Sequence, residues 1–357
     1  MHVVSKSLVS MISIISLIAL GATSAQASDD PTKDLLNALK SVTNKSTSLD
    51  TAVLKGLSDA IPSKSGLVAI ESLFGGKVVK VSSDPSQPIS FGTNFGDLSI
   101  KLPFAGRAGK AIPISNGLVA FDNQNFTTSA PILKGDGSLQ LTTLIRNSQA
   151  PQNFSYQFDL GANFTVQPLG SGLALMKSGK FVAAVAAPWA KDAQGRDVPT
   201  HYEVDGSTIT QVVEHQKSDF TYPIVADPWL GTNLFSSIYL ASWTYAAQPV
   251  VNLNLSPWGW LVYTGIAQGG LPLSFGAGQA ILDTAGWDEA WSKGGSIRAA
   301  LDKPSQRQQF SCHALGAIAA GEWNLEKGRP NRLNGNWGAG VAMHHCNWKY
   351  AEGSQTD

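Results

Sequence analysis

Between residues 77 and 227 apolar side chains recur at every second position in short runs, and turn-forming residues separate the runs. This alternation constrains the fold more than any other feature, because a period of two lines one face of a β-strand and cannot line a helix. Leu98, Ile100 and Leu102 alternate with polar neighbours, as do Leu139 and Leu141, and Phe154-Ser155-Tyr156-Gln157-Phe158-Asp159-Leu160 reads as a half-buried strand. The same pattern predicts strands at 118–121, 164–166, 173–176, 181–186, 201–204, 208–215 and 222–225. Gly135-Asp136-Gly137 and Lys177-Ser178-Gly179-Lys180 supply turns. Many short strands with no long helix between them predict an antiparallel β-sandwich or barrel and disfavour a nucleotide-binding α/β sheet. No glycine-rich phosphate loop follows any strand.

Residues 1–27 read as a signal peptide. His2 and Lys6 precede an apolar stretch from Leu8 to Ala22, and Ala25-Gln26-Ala27 offers small residues to a signal peptidase. The apolar stretch is shorter than the roughly 20 residues that span a bilayer. The mature chain is thus expected outside the cell, secreted or associated with the cell wall. Residues 28–76 read as a helical arm: Leu35, Leu36, Leu39 and Val42, then Val53, Leu54, Leu57 and Ile61, recur at three- and four-residue spacing, with a start at Asp30-Pro31.

At Pro228 the composition changes. Nine of the 10 tryptophans and both cysteines lie beyond it, which predicts a separate domain at 228–350, followed by a polar tail at 351–357. Val251, Leu253 and Leu255 alternate as a strand, while 278–291 and 305–320 read as helices. The fold expected for the whole is mainly β with added helices, ending in a small α+β domain. From 228 to 282 the chain carries no Asp, Glu, Lys or Arg, where its own 15% charged fraction would supply about eight. Three readings explain the gap: a membrane-active hairpin exposing Trp258 to Tyr263 and Leu271 to Phe275, an aromatic surface for sugars or a protein partner, or strands buried on both faces. The third is preferred, because burying unpaired charges is costly. The surface reading makes Trp258, Trp260, Trp287 and Trp291 candidate binding residues.

With 26 basic and 26 acidic residues the chain is not a polycationic nucleic-acid binder. Two cysteines in an exported chain predict a Cys312–Cys346 disulfide closing the C-terminal domain. Zinc bound by Cys312, His344 and Cys346 would need free thiolates, so the disulfide excludes it, and no metal or cofactor is expected. His313 reads as a core histidine held by a backbone carbonyl in preference to a catalytic base; His344 and His345 are further candidates. Glu322 and Glu326, four apart, would share a helical face and could act as paired glycosidase carboxylates. Trp323-Asn324-Leu325-Glu326 with Arg329-Pro330 reads either as a turn in which Arg329 bridges to Glu326 or as an anion site built on Arg329 and Arg332.

The run Ala187-Pro188-Trp189-Ala190-Lys191-Asp192, then Val198 to Val204, Gln211 to His215 and Tyr222-Pro223-Ile224-Val225-Ala226-Asp227-Pro228, resembles the closing half of a β-rich module of secreted actinobacterial proteins. Residues 229–350 are similar to a C-terminal family of unknown function through Gly286-Trp287, Glu289, Cys312-His313, Trp323-Asn324-Leu325-Glu326, Arg329-Pro330 and Cys346-Asn347. The resemblance implies an exported two-module architecture and no activity. The function expected is that of a non-enzymatic envelope or extracellular binding protein whose partner is a glycan or a protein. The alternative is a secreted antibacterial effector, membrane-perturbing or hydrolytic.

Overall fold

A computed structural model of the chain describes residues 31–48, 50–264, 276–316, 321–332 and 346–349. The expected signal peptide 1–27, the stretch Leu271 to Phe275, His344, His345 and the tail 351–357 lie outside the described residues.

Two antiparallel sheets dominate. One has the spatial order Val68–Phe74, Lys77–Ser82, Ile89–Thr93, Gly96–Lys101, Asn153–Asp159, Thr208–Val213, Thr200–Asp205. The other runs Phe164–Leu169, Gly172–Lys177, Lys180–Val185, Trp229–Gly231, Leu139–Ile145, Thr127–Leu133, Leu118–Asp122, Ile112–Ser115; Ile224–Asp227 pairs beside Leu139–Ile145 and carries Trp189–Lys191. Ile100, Tyr156 and Phe158 of the first sheet meet Val119, Leu141 and Val185 of the second in one core. The strands expected from alternation are present, with shifted ends.

Thr127–Leu133 escapes a period-two reading because all seven of its residues are buried. The sandwich core covers one face of its sheet, and the helix Pro31–Lys45 covers the other through Leu35, Leu39 and Val42 against Ala130, Ile132 and Leu144. A sheet covered on both faces loses the polar half of its pattern. Beyond the helix the expectation fails, for residues 53–61 are not helical. Lys134, itself buried, donates to the carbonyls of Val53 at 2.6 Å and Lys55 at 3.0 Å, while Gly135 N donates to Gly56 O and Ser58 N to Leu133 O. The backbone groups a helix would need are bonded to the sheet's turn instead.

The C-terminal part builds a three-stranded antiparallel sheet from Phe235–Tyr245, Gln248–Leu255 and Trp323–Glu326, packed with the helices Pro257–Thr264, Ala277–Ile281, Trp287–Ser292, Gly295–Leu301 and Pro304–Gly316. A π-helical turn, Leu282–Gly286, sits within the helical stretch expected at 278–291. The domain shares a core with the sandwich: Leu169, Met176, Phe181 and Trp229 of the second sheet pack with Trp258, Leu261 and Tyr263. Trp258 lies edge-on to Trp229 with ring centroids 4.8 Å apart. It occupies the place a side chain at Gly231 would take, since a Cβ there would fall 1.9 Å from the indole.

The two-sided buried strands expected account for only part of the charge gap: Trp229–Gly231 is buried throughout, with Leu230 in the sandwich core and Trp229 in the core shared with the C-terminal part. The middle of Gln248–Leu255 and the helix Pro257–Thr264 are buried too, whereas Phe235–Tyr245 is largely exposed. Among the described residues no helix is long and apolar enough to cross a membrane.

Candidate functional site

Trp323-Asn324-Leu325-Glu326 is a strand, so its four side chains alternate between two faces. Trp323 and Leu325 enter the core shared with the sandwich. His313, from the helix Pro304–Gly316, stacks on Trp323 with centroids 5.2 Å apart and planes 12° from parallel. Phe235, Phe310 and Tyr263 meet the same indole edge-on. Neither ring nitrogen of His313 has a hydrogen-bond partner among the described residues. Burial pushes its pKa down to about 4, so the ring is neutral near pH 7. It is a core histidine, as expected, but one without the backbone carbonyl anticipated for it.

Glu326 and Arg329 lie on the other side of the strand and are both buried. Arg329 Nε donates to Glu326 Oε2, and its Nη1 reaches Tyr245 Oη at 2.9 Å and Trp348 O at 3.2 Å. Its guanidinium stands 3.6 Å from the centroid of the Tyr245 ring. Asn347 Nδ2 donates to Glu326 Oε1, Trp348 Nε1 donates to Pro330 O, and a Cys312–Cys346 disulfide fixes the same segment from the helix side. Of the two readings for Arg329, the bridge to Glu326 is the one present. The cation is spent on holding the chain's last described residues to the strand.

The expected carboxylate pair is corrected. Glu322 and Glu326 do not share a helical face: four residues of extended chain place their Cα atoms roughly 13 Å apart. Each also belongs to its own network, Glu326 with Arg329 and Glu322 with a cluster on the neighbouring strands.

The tryptophan surface is corrected as well. Trp258 is buried at 1% exposure, so it can stack on no ligand. Trp260 is half-buried, edge-on to Tyr263. Trp287 and Trp291 stack on each other at 5.9 Å, Arg307 covers the ring of Trp287 at 5.3 Å, and Arg298 covers that of Trp291 at 4.9 Å. Arg307 is held by both oxygens of Asp283, at 2.6 and 2.8 Å. This ladder of two cations around two indoles uses the ring faces a sugar would need.

What the structure assembles in their place is a polar cluster on the outer face of the three-stranded sheet. The register sets Tyr239 opposite Asn252, Asn252 opposite Asn324, and Ser237 opposite Asn254. Glu322, two residues before Asn324, accepts at Oε1 from Asn252 Nδ2 (2.8 Å), and at Oε2 from Asn254 Nδ2 (2.8 Å) and Tyr239 Oη (2.6 Å). Asn254 Nδ2 also reaches Ser237 Oγ at 3.0 Å. Tyr239, Leu240 and Trp243 are among the exposed large side chains of the molecule. The sequence signal was the pair Asn252 and Asn254 at i, i+2 in an otherwise apolar strand, which puts two amides on one face. Their carboxylate partner comes from 70 residues away along the chain and has no local signal. Among the described residues no group of three or more His, Cys, Asp and Glu side chains is arranged to hold a metal ion.

No curated protein matches the chain. Residues 273–349, which hold the helices from Ala277 to Gly316, the strand Trp323–Glu326 and both half-cystines, match a family described as "Protein of unknown function (DUF2599)".

Proposed function

We propose that this chain is an exported, non-enzymatic binding protein of the cell envelope, and that its C-terminal domain is the recognition unit. One observation carries the reading: the polar cluster around Glu322 is the candidate group turned toward solvent, whereas His313 lies in the core and Glu326–Arg329 is a buried internal pair. An acid or base needs reach to a substrate and a matched partner, and neither of these has both. The composition of residues 1–27 and the resemblance to secreted actinobacterial modules support export. The hydrolytic alternative loses its carboxylate pair, and the membrane-perturbing one loses Trp258 to the core. The test is to recover the protein from producing cells, sequence its N-terminus, and incubate it with purified cell walls, membranes and soluble proteins. A chain starting at Ser28 and retained on the envelope is the expected result; a cell-internal, unprocessed chain retained on none of them contradicts it.

A further inference from the structure

We propose that the outer face of the C-terminal sheet binds a neutral glycan, with the Tyr239 ring as its stacking platform and Glu322 and Asn254 as the groups that read its hydroxyls. The proposal rests on the reading above and names the ligand class. It follows from the hydrogen-bond balance of the cluster. An ionised carboxylate offers about four acceptor places, and Glu322 uses three of them, one on Oε1 and two on Oε2. The donors facing it, Asn252 Nδ2, Asn254 Nδ2 and Tyr239 Oη, are thereby engaged. Asn252 is only 4% exposed, so its amide holds the Glu322 carboxylate and the Tyr239 hydroxyl in place from beneath. Glu322 keeps an acceptor place free, and the half-buried Asn324 amide opposite Asn252 adds donors, so the complement is a ligand that both donates and accepts without bringing charge, as sugar hydroxyls do.

The surroundings narrow the class further. Tyr239 is 43% exposed while its hydroxyl is tied down by Glu322, which leaves the ring immobilised and open. An aromatic ring with one fixed polar end suits the apolar face of a pyranose, and holding it in place beforehand reduces the ordering cost of binding. Trp243, four residues along the same strand, is a second exposed aromatic, at 42% exposure. The strands Phe235–Tyr245 and Gln248–Leu255 carry no Lys or Arg, so the single formal charge of the cluster is the Glu322 carboxylate. An anionic polymer would meet repulsion from that carboxylate.

The test uses the intact mature chain and titrates it calorimetrically with mannan, galactan and soluble glucan, with polygalacturonate as the anionic comparison. Binding to at least one neutral polymer and not to polygalacturonate is expected, weakened at least tenfold by Tyr239→Ala and by Glu322→Gln, with melting temperatures unchanged. Should either variant fold poorly, Tyr239→Phe and Asn254→Ala serve instead, each removing two hydrogen bonds of the cluster. Binding that all of these leave unchanged overturns the site. Retention on isolated envelopes with no affinity for any of the neutral polymers overturns the glycan assignment while the binding reading stands; retention on nothing removes both.

Discussion

At the scale of single residues, two buried groups set the behaviour of the C-terminal domain. His313 takes up a proton near its ordinary value of about 6.5 in the unfolded chain but only at about 4 in the folded one. Between those values the unfolded state binds more protons, so stability is complete above the upper limit and falls as pH drops through the window. The full loss is about 3 kcal/mol. Urea denaturation at pH 7 and pH 4 should show a smaller acid loss in His313→Phe, which keeps a ring against Trp323 and removes the titrating nitrogens. An unchanged difference between the two pH values would show that His313 protonates as easily folded as unfolded. Glu326→Ala leaves the Arg329 guanidinium buried without its carboxylate; the expected cost, read from the same titration, is about 3 kcal/mol. That pairing was visible in the sequence because the partners sit three residues apart at a proline-bounded turn. The orphaned His313 ring was not, since only the fold decides whether a carbonyl lies within reach.

At the scale of elements, the short strand Trp323–Glu326 persists because both of its sides are bonded. Gln248–Leu255 pairs one side, and on the other the side chain of Gln309 stands in for a strand, with Glu326 N donating to its Oε1 at 2.9 Å and its Nε2 donating to Glu326 O at 3.1 Å. Glu289 serves the strand Phe235–Tyr245 in the same way at its start, accepting from Leu234 N at 2.6 Å and Phe235 N at 3.2 Å. Burial raises the pKa of Glu289 above the usual carboxylate range, against the pull of those two bonds. Gln309→Met keeps the volume and strips both bonds, leaving two buried backbone groups unpaired; a loss of about 2–4 kcal/mol in unfolding free energy is expected. Alternation was legible wherever one face of a strand meets solvent, as in Asn153–Asp159. It failed at Thr127–Leu133, which is buried throughout, and the helical spacing of Val53 to Ile61 misled because Lys134 takes the carbonyls a helix would use.

At the scale of the whole molecule, the sandwich and the C-terminal domain are joined by a continuous core, so the domain is docked and not carried on a free tether. The composition shift at Pro228 was legible, but the strand Trp229–Gly231 just beyond it completes the second sheet. The docking itself depends on Gly231 lying under Trp258, a pairing no local pattern reveals. Gly231→Ala should split thermal unfolding into two transitions or lower the midpoint of a single one, followed by calorimetry; an unaltered single transition would mean that this contact does not couple the two parts. Docking also fixes the three-stranded sheet relative to the sandwich and leaves its outer face turned away from the shared core, which is where a ligand would be met. The most direct measurement of that role is co-sedimentation of the mature chain and its Glu322→Gln variant with isolated cell envelopes. The mature chain should pellet with the envelopes while the variant, equally stable, stays largely in solution; equal partitioning of the two would contradict the account.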